Sequence, residues 1–244
     1  MKLVIVRHGD PDYEHNTLTE KGKREAELLA PRFDNMDVTA FFVSPLGRAQ
    51  ETAAPILSRL HRTAETLPWL REFTEILVRR LDSPDHPTCC WDWMPDDLAD
   101  YPILFDKDRW GEAPLMKEYG IKPYYDRIVA EFDAFLAKCG YQRERSYYRV
   151  TRSNLDTYVL ICHFGLECVL LSRLWNVSPV PLWHGTIAQT TGVTEVVTEE
   201  RRDGIASFRM LTFGDVTHLT SAGEPPSFSG RFRESYPNDT WNRI

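Results

Sequence analysis

Short apolar runs rich in β-branched residues alternate along this sequence with segments of helical periodicity, and this alternation restricts the possible folds more than any other feature. Runs that are apolar at every position are typical of strands buried on both faces of a parallel sheet. The runs predicted as buried strands are Leu3–Val6, Val38–Val43 and Thr157–Cys162. Because helices are predicted between them, the sequence favours a three-layer α/β/α sandwich with a mostly parallel central sheet.

Helix-start signals precede two of the predicted helices. Thr19 can cap the first helix through its side-chain oxygen. Ser44-Pro45 is predicted to start the second helix, with Ser44 as the cap and Pro45 at the first helical position. Two further helices are predicted around Tyr125–Leu136 and over Gly165–Trp175.

The second half of the chain adds further predicted strands. Arg145–Val150 alternates in polarity and Ser153-Asn154 is a turn signal, so this run is predicted to form a hairpin with the buried strand Thr157–Cys162. Two more strands are predicted at Thr190–Val197 and Ile205–Phe213.

The length of 244 residues suits a single α/β domain, 1–244, that carries an insertion. Residues 74–118 contain many aspartates and the tryptophans Trp91, Trp93 and Trp110 without a clean period, so they are predicted to form an irregular cap over the sheet. Residues 221–244 are rich in Pro, Ser and Gly and are predicted to be a surface tail.

Composition and charge narrow the function classes. The net charge of −7 argues against a nucleic-acid-binding protein, because such proteins present a basic surface. No stretch approaches the roughly 20 apolar residues that span a membrane, and the apolar N-terminal run is too short for a signal peptide. The five cysteines lack the spacing of a disulfide framework. We therefore expect a cytoplasmic protein that binds neither membranes nor nucleic acids.

Polar residues follow three of the predicted strands directly. Arg7-His8-Gly9 follows the first, Ser44–Arg48 the second, and His163 the third. In open α/β sheets, ligands bind beyond the carboxyl ends of the strands. We therefore expect two histidines and two arginines from distant segments to converge at one edge of the sheet.

These residue types suit the transfer of a phosphoryl group. A neutral imidazole such as His8 is a good acceptor near pH 7, because one nitrogen keeps a free lone pair. Arg7 and Arg48 can bind phosphate oxygens in a bidentate manner, and the N–H groups of the helix predicted to start at Ser44 would bind anions too. His163 is predicted to act as a further cation or to orient the nucleophile. A carboxylic acid must lie nearby to protonate the leaving alkoxide.

Several ordered motifs resemble those of the histidine phosphatase superfamily, the phosphoglycerate-mutase-like proteins. Leu70-Arg71-Glu72 looks like the family's acid-bearing "LxE" motif. The other matching segments are Arg7-His8-Gly9, Leu18–Gly22 as "LTxxG", Ser44–Ala53 as "SPLxRAxxTA", and Cys162–Gly165 at the second histidine. The order and spacing agree over roughly residues 1–75 and 155–200.

The resemblance implies a phosphatase that hydrolyses a small phosphorylated metabolite through a phosphohistidine on His8. It assigns the phosphate pocket to Arg7, Arg48 and His163, with His163 also among the catalytic residues, and the proton donor to Glu72. Family members use no metal, and no other cofactor is expected.

The sequence departs from the family pattern in two places. Asp10 replaces the more usual Glu or Gln after Gly9. The sequence after Glu72 contains neither the "GxWEG" continuation of the phosphatases nor the "ERHYG" run of the mutases. Glu75 is therefore a second candidate for the acid.

Two other groups of residues allow more than one interpretation. Asp82, Asp85, His86, Cys89 and Cys90 suggest a metal site, but adjacent cysteines do not easily share one tetrahedral ion and no second ligand pair has suitable spacing, so no metal is expected. The cap tryptophans either line a substrate pocket or form a small core of their own. His184 and His218 are predicted to be structural.

Two functions compete with the phosphatase hypothesis. A mutase would return the phosphoryl group to the substrate, but the acidic insertion disfavours the extra cations that it needs. A non-catalytic phosphate-binding protein would have lost His8, an arginine or His163, and the sequence retains all of them.

Overall fold

A central sheet with helices on both faces organises the chain. The computed structural model describes residues 1–79, 85, 87–231 and 235. Its strands are β1 (Lys2–Arg7), β2 (Pro11–Asp12), β3 (Thr17–Leu18), β4 (Ala40–Val43), β5 (Ala64–Thr66), β6 (Leu77–Arg79), β7 (Pro87–Cys89), β8 (Tyr141–Glu144), β9 (Tyr147–Val150), β10 (Thr157–Cys162), β11 (Val193–Arg202) and β12 (Ile205–Asp215). Its α-helices are α1 (Glu20–Leu29), α2 (Gly47–Leu60), α3 (Pro95–Ala99), α4 (Pro114–Glu118), α5 (Ile121–Lys138), α6 (Phe164–Trp175), α7 (Val180–Gly185) and α8 (Thr217–Ser221). Short 3₁₀ helices lie at Ala30–Phe33, Pro68–Leu70, Pro102–Phe105 and Trp110–Glu112.

Within the described residues, the large sheet has eight strands in the order β5-β4-β10-β1-β11-β12-β9-β8. The pairings from β5 to β1 are parallel, and those from β1 to β8 are antiparallel. Six of these eight strands consequently run in the same direction. Together with helices on both faces, this arrangement confirms the predicted α/β/α fold class.

The two faces of the sheet have separate apolar cores. On one face, α1 and α2 pack against Val4, Val6 and Ile161. On the other face, α5 and α6 pack against Leu3 and Ile5 together with the cap residues. Because successive strand residues point to opposite faces, the fully apolar runs supply both cores.

The start of α2 differs from the prediction. The helix begins at Gly47, with Leu46 in extended conformation at the N-cap, rather than at Ser44-Pro45. The Ser44 hydroxyl instead contacts the His163 ring, at 2.7 Å, and accepts a hydrogen bond from the Leu46 N–H. Thr19 does cap α1 as predicted, since its side chain accepts a hydrogen bond from the Gly22 N–H.

The predicted hairpin between Arg145–Val150 and Thr157–Cys162 is wrong. β9 pairs with β8 across a turn in which Arg145 has a φ of 55°, and β9 also pairs with β12. β10 lies between β1 and β4 and is parallel to both. The reason is burial: every residue of β10 is buried, which suits a central strand covered on both faces.

The chain between the 3₁₀ helix Pro68–Leu70 and the start of α5 contains the β6–β7 hairpin, α3, two 3₁₀ turns and α4. Trp93 and Trp110 are buried in the core that they share with α5 and α6, whereas Trp91 is half-buried. Asp82 and His86 lie outside the described residues.

The start of the predicted tail contacts the main fold. Ser227 is buried; its backbone N–H donates to Glu25, and its hydroxyl is bonded to the Asp10 carboxylate. The backbone carbonyl of Ser229 accepts a hydrogen bond from Arg7. Residues 232–234 and 236–244 lie outside the described residues. None of the described helices combines the length and apolar character needed to cross a bilayer.

Candidate active site

The strand register brings the predicted site residues together. Arg7 pairs with Cys162, and Ile161 pairs with Val43, so β1, β10 and β4 end at the same edge of the sheet. His8 and His163 therefore leave the sheet side by side, with ring centroids 5.0 Å apart. Arg7 and Arg48 lie in the same place, and none of the four side chains is more than 7% exposed.

A hydrogen bond to the backbone orients the His8 ring. Its Nδ1 lies 2.7 Å from the carbonyl oxygen of Gly9, which assigns the proton to Nδ1 and leaves the lone pair on Nε2. A side chain at Gly9 would collide with the chain, since a Cβ there would be 2.7 Å from the carbonyl oxygen of Gly22. Burial, followed by the charges of Arg7 and Arg48, lowers the pKa of His8 well below its usual value. The ring is therefore neutral at pH 7.

His163 is held by Ser44. The Nε2 atom of His163 lies 2.7 Å from the Ser44 hydroxyl, and the ring is fully buried. Burial, followed by the neighbouring His8 and Arg48, lowers the pKa of His163 well below its usual value. The second histidine is thus neutral in the free protein, and Ser44 serves the site rather than the helix start.

The two arginines keep their charge available. Arg7 donates through Nη1 to the carbonyl of Ala188, at 2.6 Å, and through Nη2 to that of Ser229, at 3.1 Å. Arg48 donates to the side-chain oxygen of Asn16 at 3.0 Å and lies over the ring of Tyr13. Within the described part of the chain, neither arginine forms an ion pair with a carboxylate, so the positive charge of the pocket is not neutralised by the protein.

Glu72, and not Glu75, reaches this pocket. The Glu72 carboxylate accepts hydrogen bonds from the N–H groups of Phe73 at 2.7 Å, Leu166 at 3.0 Å and Gly165 at 3.3 Å. Two of these donors belong to the first turn of α6, directly after His163. Burial raises the pKa of Glu72, while the three N–H groups and Arg48 act in the opposite direction. Glu75 is exposed and forms an ion pair with Arg127 at 2.9 Å.

The sequence interpretation missed Thr52. Its hydroxyl accepts a hydrogen bond from the Gly9 N–H at 2.9 Å and donates to the Arg48 carbonyl at 2.7 Å. It thereby links the loop after His8 to the helix that carries Arg48. Its position four residues after Arg48, on the same face of a predicted helix, was a usable signal.

A further missed residue, Glu167, lies in α6 four residues after His163 and is fully buried. Burial raises the pKa of Glu167 to about 7, and the Thr194 hydroxyl and the charge of Arg7 oppose this rise. An isolated acidic residue in an apolar helix was the only sequence signal.

The two histidines predicted as structural lie outside the pocket. The Nδ1 of His184 contacts the carbonyl of Val180 in its own helix. His218 contacts the Thr191 hydroxyl through Nε2 at 3.0 Å, and the Thr191 N–H donates to the backbone carbonyl of His8. His218 is therefore connected to the site through Thr191. In the described ranges, no group of three or more His, Cys, Asp or Glu side chains is placed to hold a metal ion.

Comparisons with solved structures give the same fold. A phosphoserine phosphatase from Entamoeba histolytica, crystallised as a mutant with phosphoserine, superposes with a TM-score of 0.59 over 89% of this chain and 98% of that chain, at 18% identity. Its complex with 3-phosphoglyceric acid gives a TM-score of 0.58. An α-ribazole phosphatase from Shigella flexneri superposes with a TM-score of 0.52 at 17% identity, over 88% of this chain and 97% of that chain.

Sequence comparisons find relatives among phosphatases and phosphoglycerate mutases. A probable phosphatase of Schizosaccharomyces pombe is 23% identical over 235 residues, which are 91% of this chain and 96% of that protein. A 2,3-bisphosphoglycerate-dependent phosphoglycerate mutase of Thermoplasma acidophilum is 34% identical over 77 residues, 27% of this chain, and the match spans only 38% of the mutase. Residues 3–93 match the family model of the histidine phosphatase superfamily, branch 1. Residues 3–93 of this chain are therefore similar to the histidine phosphatase superfamily, branch 1.

Proposed function

We propose that this protein is a phosphatase that hydrolyses a small phosphomonoester through a phosphohistidine on His8. The observation that carries the proposal is the state of His8: a neutral, buried imidazole with its proton on Nδ1, placed beside two arginines whose charge no described carboxylate neutralises. Such an imidazole is a nucleophile, and the arginines attract the phosphate that it attacks.

The first step transfers the phosphoryl group to the protein. The lone pair of His8 Nε2 attacks phosphorus, and the bond between phosphorus and the ester oxygen breaks. Arg7 and Arg48 stabilise the charge on the transferring oxygens. Glu72 gives its proton to the departing alkoxide, which leaves as an alcohol and makes Glu72 a carboxylate.

The second step returns the protein to its starting state. A water molecule attacks phosphorus of the phosphohistidine, and the Glu72 carboxylate takes the proton of that water. The bond between nitrogen and phosphorus breaks, inorganic phosphate leaves, and His8 regains its lone pair. His163, held by Ser44 at 2.7 Å, lies beside the same phosphate and helps to bind it.

A phosphoglycerate-mutase reaction would share the first step and differ in the acceptor. The partial match to the Thermoplasma mutase keeps this alternative open for testing. In that case, the phosphoryl group would move from His8 to a hydroxyl of the substrate, and inorganic phosphate would not accumulate.

The test is to trap the intermediate. The protein is mixed with phosphoserine, 3-phosphoglycerate or nitrophenyl phosphate carrying labelled phosphate, and the reaction is quenched. We expect label on nitrogen, stable to base and labile to acid, followed by release of inorganic phosphate. Label on serine or cysteine would contradict the assignment of His8, and isomerised substrate without free phosphate would identify a mutase.

A further inference from the structure

Trp91 of the insertion lies close to Glu72, the proposed acid. Gly165 has no side chain, and a Cβ built there would lie 2.4 Å from Cη2 of Trp91 and 2.8 Å from Oε1 of Glu72. Those two atoms are therefore at most 5.2 Å apart, the sum of the two distances. The glycine lets the indole and the carboxyl occupy the same small space.

Neighbouring aromatic rings hold the indole there. The centroid of the Trp91 ring lies 6.3 Å from that of Phe73 and 5.9 Å from that of Trp183. The Trp183 Nε1 donates to the carbonyl of Gly165 at 3.0 Å, so the ring that supports Trp91 is itself bonded to the backbone beside Glu72.

Opposing influences act on the Glu72 carboxyl. Its three backbone donors and Arg48 of α2 favour the carboxylate, and burial favours the acid and outweighs them. The charge of Glu72 also raises the pKa values of six neighbouring groups. These are Cys89 of β7, Cys90, Tyr124 of α5, Cys162 of β10, and Glu167 and Cys168 of α6. Apart from Arg48, all of them are neutral or acidic. The acid form of Glu72 therefore depends on the exclusion of water.

We propose that Trp91 is a positioning residue that shields Glu72 from water and so keeps it protonated as the donor to the leaving group. A carboxyl beside an apolar ring is costly to ionise, since the ring displaces water that would solvate the charge. The inference rests on the proposed role of Glu72 in the phosphatase reaction. It assigns to the insertion an effect on chemistry, besides any contact with substrate.

The experiment follows the Glu72 carboxyl directly by ¹³C NMR titration in the whole protein, with Glu72→Gln used to assign the signal. In Trp91→Ala, water reaches the carboxyl, and we expect its pKa to fall by about one unit or more. Trp91→Phe retains an apolar ring and should preserve most of the shift; it also serves if the alanine variant does not fold. Trp69→Ala is the matched control, because Trp69 is also half-buried but packs on Phe132 and Phe135.

Kinetics give a second readout. The alkaline limb of kcat/KM for an alkyl phosphate should move to lower pH in Trp91→Ala by the same amount as the pKa, and the profile for nitrophenyl phosphate should not move. An unchanged pKa of Glu72 in Trp91→Ala, or an equal fall in Trp69→Ala, overturns the proposal. If Glu72→Gln affects both substrates equally, the donor assignment fails separately, and the titration still decides whether Trp91 controls Glu72.

Discussion

The candidate site has two sides that are built differently, and each is named by its role in the proposed reaction. The phosphate side, His8 with Arg7, Arg48 and His163, comes from strand ends and the helices that follow them. The leaving-group side, Glu72 with Trp91, comes from the chain between β5 and α5 and reaches the pocket through contacts with the start of α6. The sheet register fixes the first side, and side-chain packing fixes the second.

The two sides also differ in electrostatics. On the phosphate side, burial and nearby arginines lower the pKa values of both histidines and leave net positive charge for an anion. On the leaving-group side, burial raises the pKa of the carboxyl. The same physical cause, loss of water, therefore favours the neutral form of the proposed nucleophile on one side and of the proposed acid on the other. We infer that changes on the phosphate side will affect every substrate, and changes on the other side will depend on the leaving group.

The largest expected effect comes from the phosphate side. His8→Ala removes the nucleophile and should lower kcat for all substrates by on the order of 10⁶-fold, the loss seen when a covalent nucleophile is deleted. The fold should persist, as measured by circular dichroism, because the apolar cores do not include His8. His184→Ala, which alters a histidine bonded within its own helix, is the control and should retain activity. Comparable losses in both variants would mean that His8 is structural.

The next effect should separate the two sides. Glu72→Gln removes the donor proton and should slow phosphoryl transfer from an alkyl phosphate by about 10²–10⁴-fold. Nitrophenyl phosphate needs little protonation and should be affected far less. Single-turnover measurements are required, since hydrolysis of the phosphohistidine can limit both substrates.

The matched control for this variant is Glu75→Gln, which makes the same chemical change at an exposed residue paired with Arg127. Equal slowing of alkyl and aryl substrates in Glu72→Gln would place the proton donor elsewhere. A loss confined to Glu75→Gln would reverse the assignment.

A smaller effect concerns Glu167, whose buried carboxyl interacts with the charge of Arg7 and should make the free energy of unfolding depend on pH. Because its folded pKa of about 7 lies above the ordinary value of 4.5, the folded state binds more protons than the unfolded state between those values. Its contribution to the free energy of unfolding therefore falls as pH rises through this window, by up to about 3 kcal/mol. In Glu167→Gln, the free energy of unfolding measured by denaturant titration should fall less steeply between pH 5 and 8. Glu27→Gln, at an exposed helix position, should leave it unchanged, and an equally steep loss in Glu167→Gln would contradict the pKa assignment.

The smallest expected effect is that of chelators. The arginines on the phosphate side already supply the positive charge that a metal ion otherwise provides. Activity measured with and without EDTA should therefore agree. A loss of activity with EDTA that a divalent ion reverses would instead support a metal site among Asp82, Asp85, His86, Cys89 and Cys90.

The sequence determined the phosphate side almost completely. Apolar runs identify strands by local composition, and polar residues directly after parallel strands must meet at one edge of the sheet. For this reason the amino-acid sequence alone predicts that Arg7, His8, Arg48 and His163 lie together. The hydrogen bonds between Ser44 and His163 and between the Gly9 N–H and Thr52 were not expected, because they join segments far apart in sequence.

Only the tertiary structure decided the leaving-group side. Glu72 and Glu75 are three residues apart in an irregular segment, and no local rule tells which of them meets the N–H groups of Gly165 and Leu166. The same holds for Trp91, which meets Gly165 from a distant part of the chain. The neighbours of β10 were likewise set by burial across the whole sheet rather than by the nearby turn signal. Local sequence determines whether a segment forms a helix or a strand. Packing between distant elements determines which side chains are buried together, and burial in turn determines which titratable groups keep their protons.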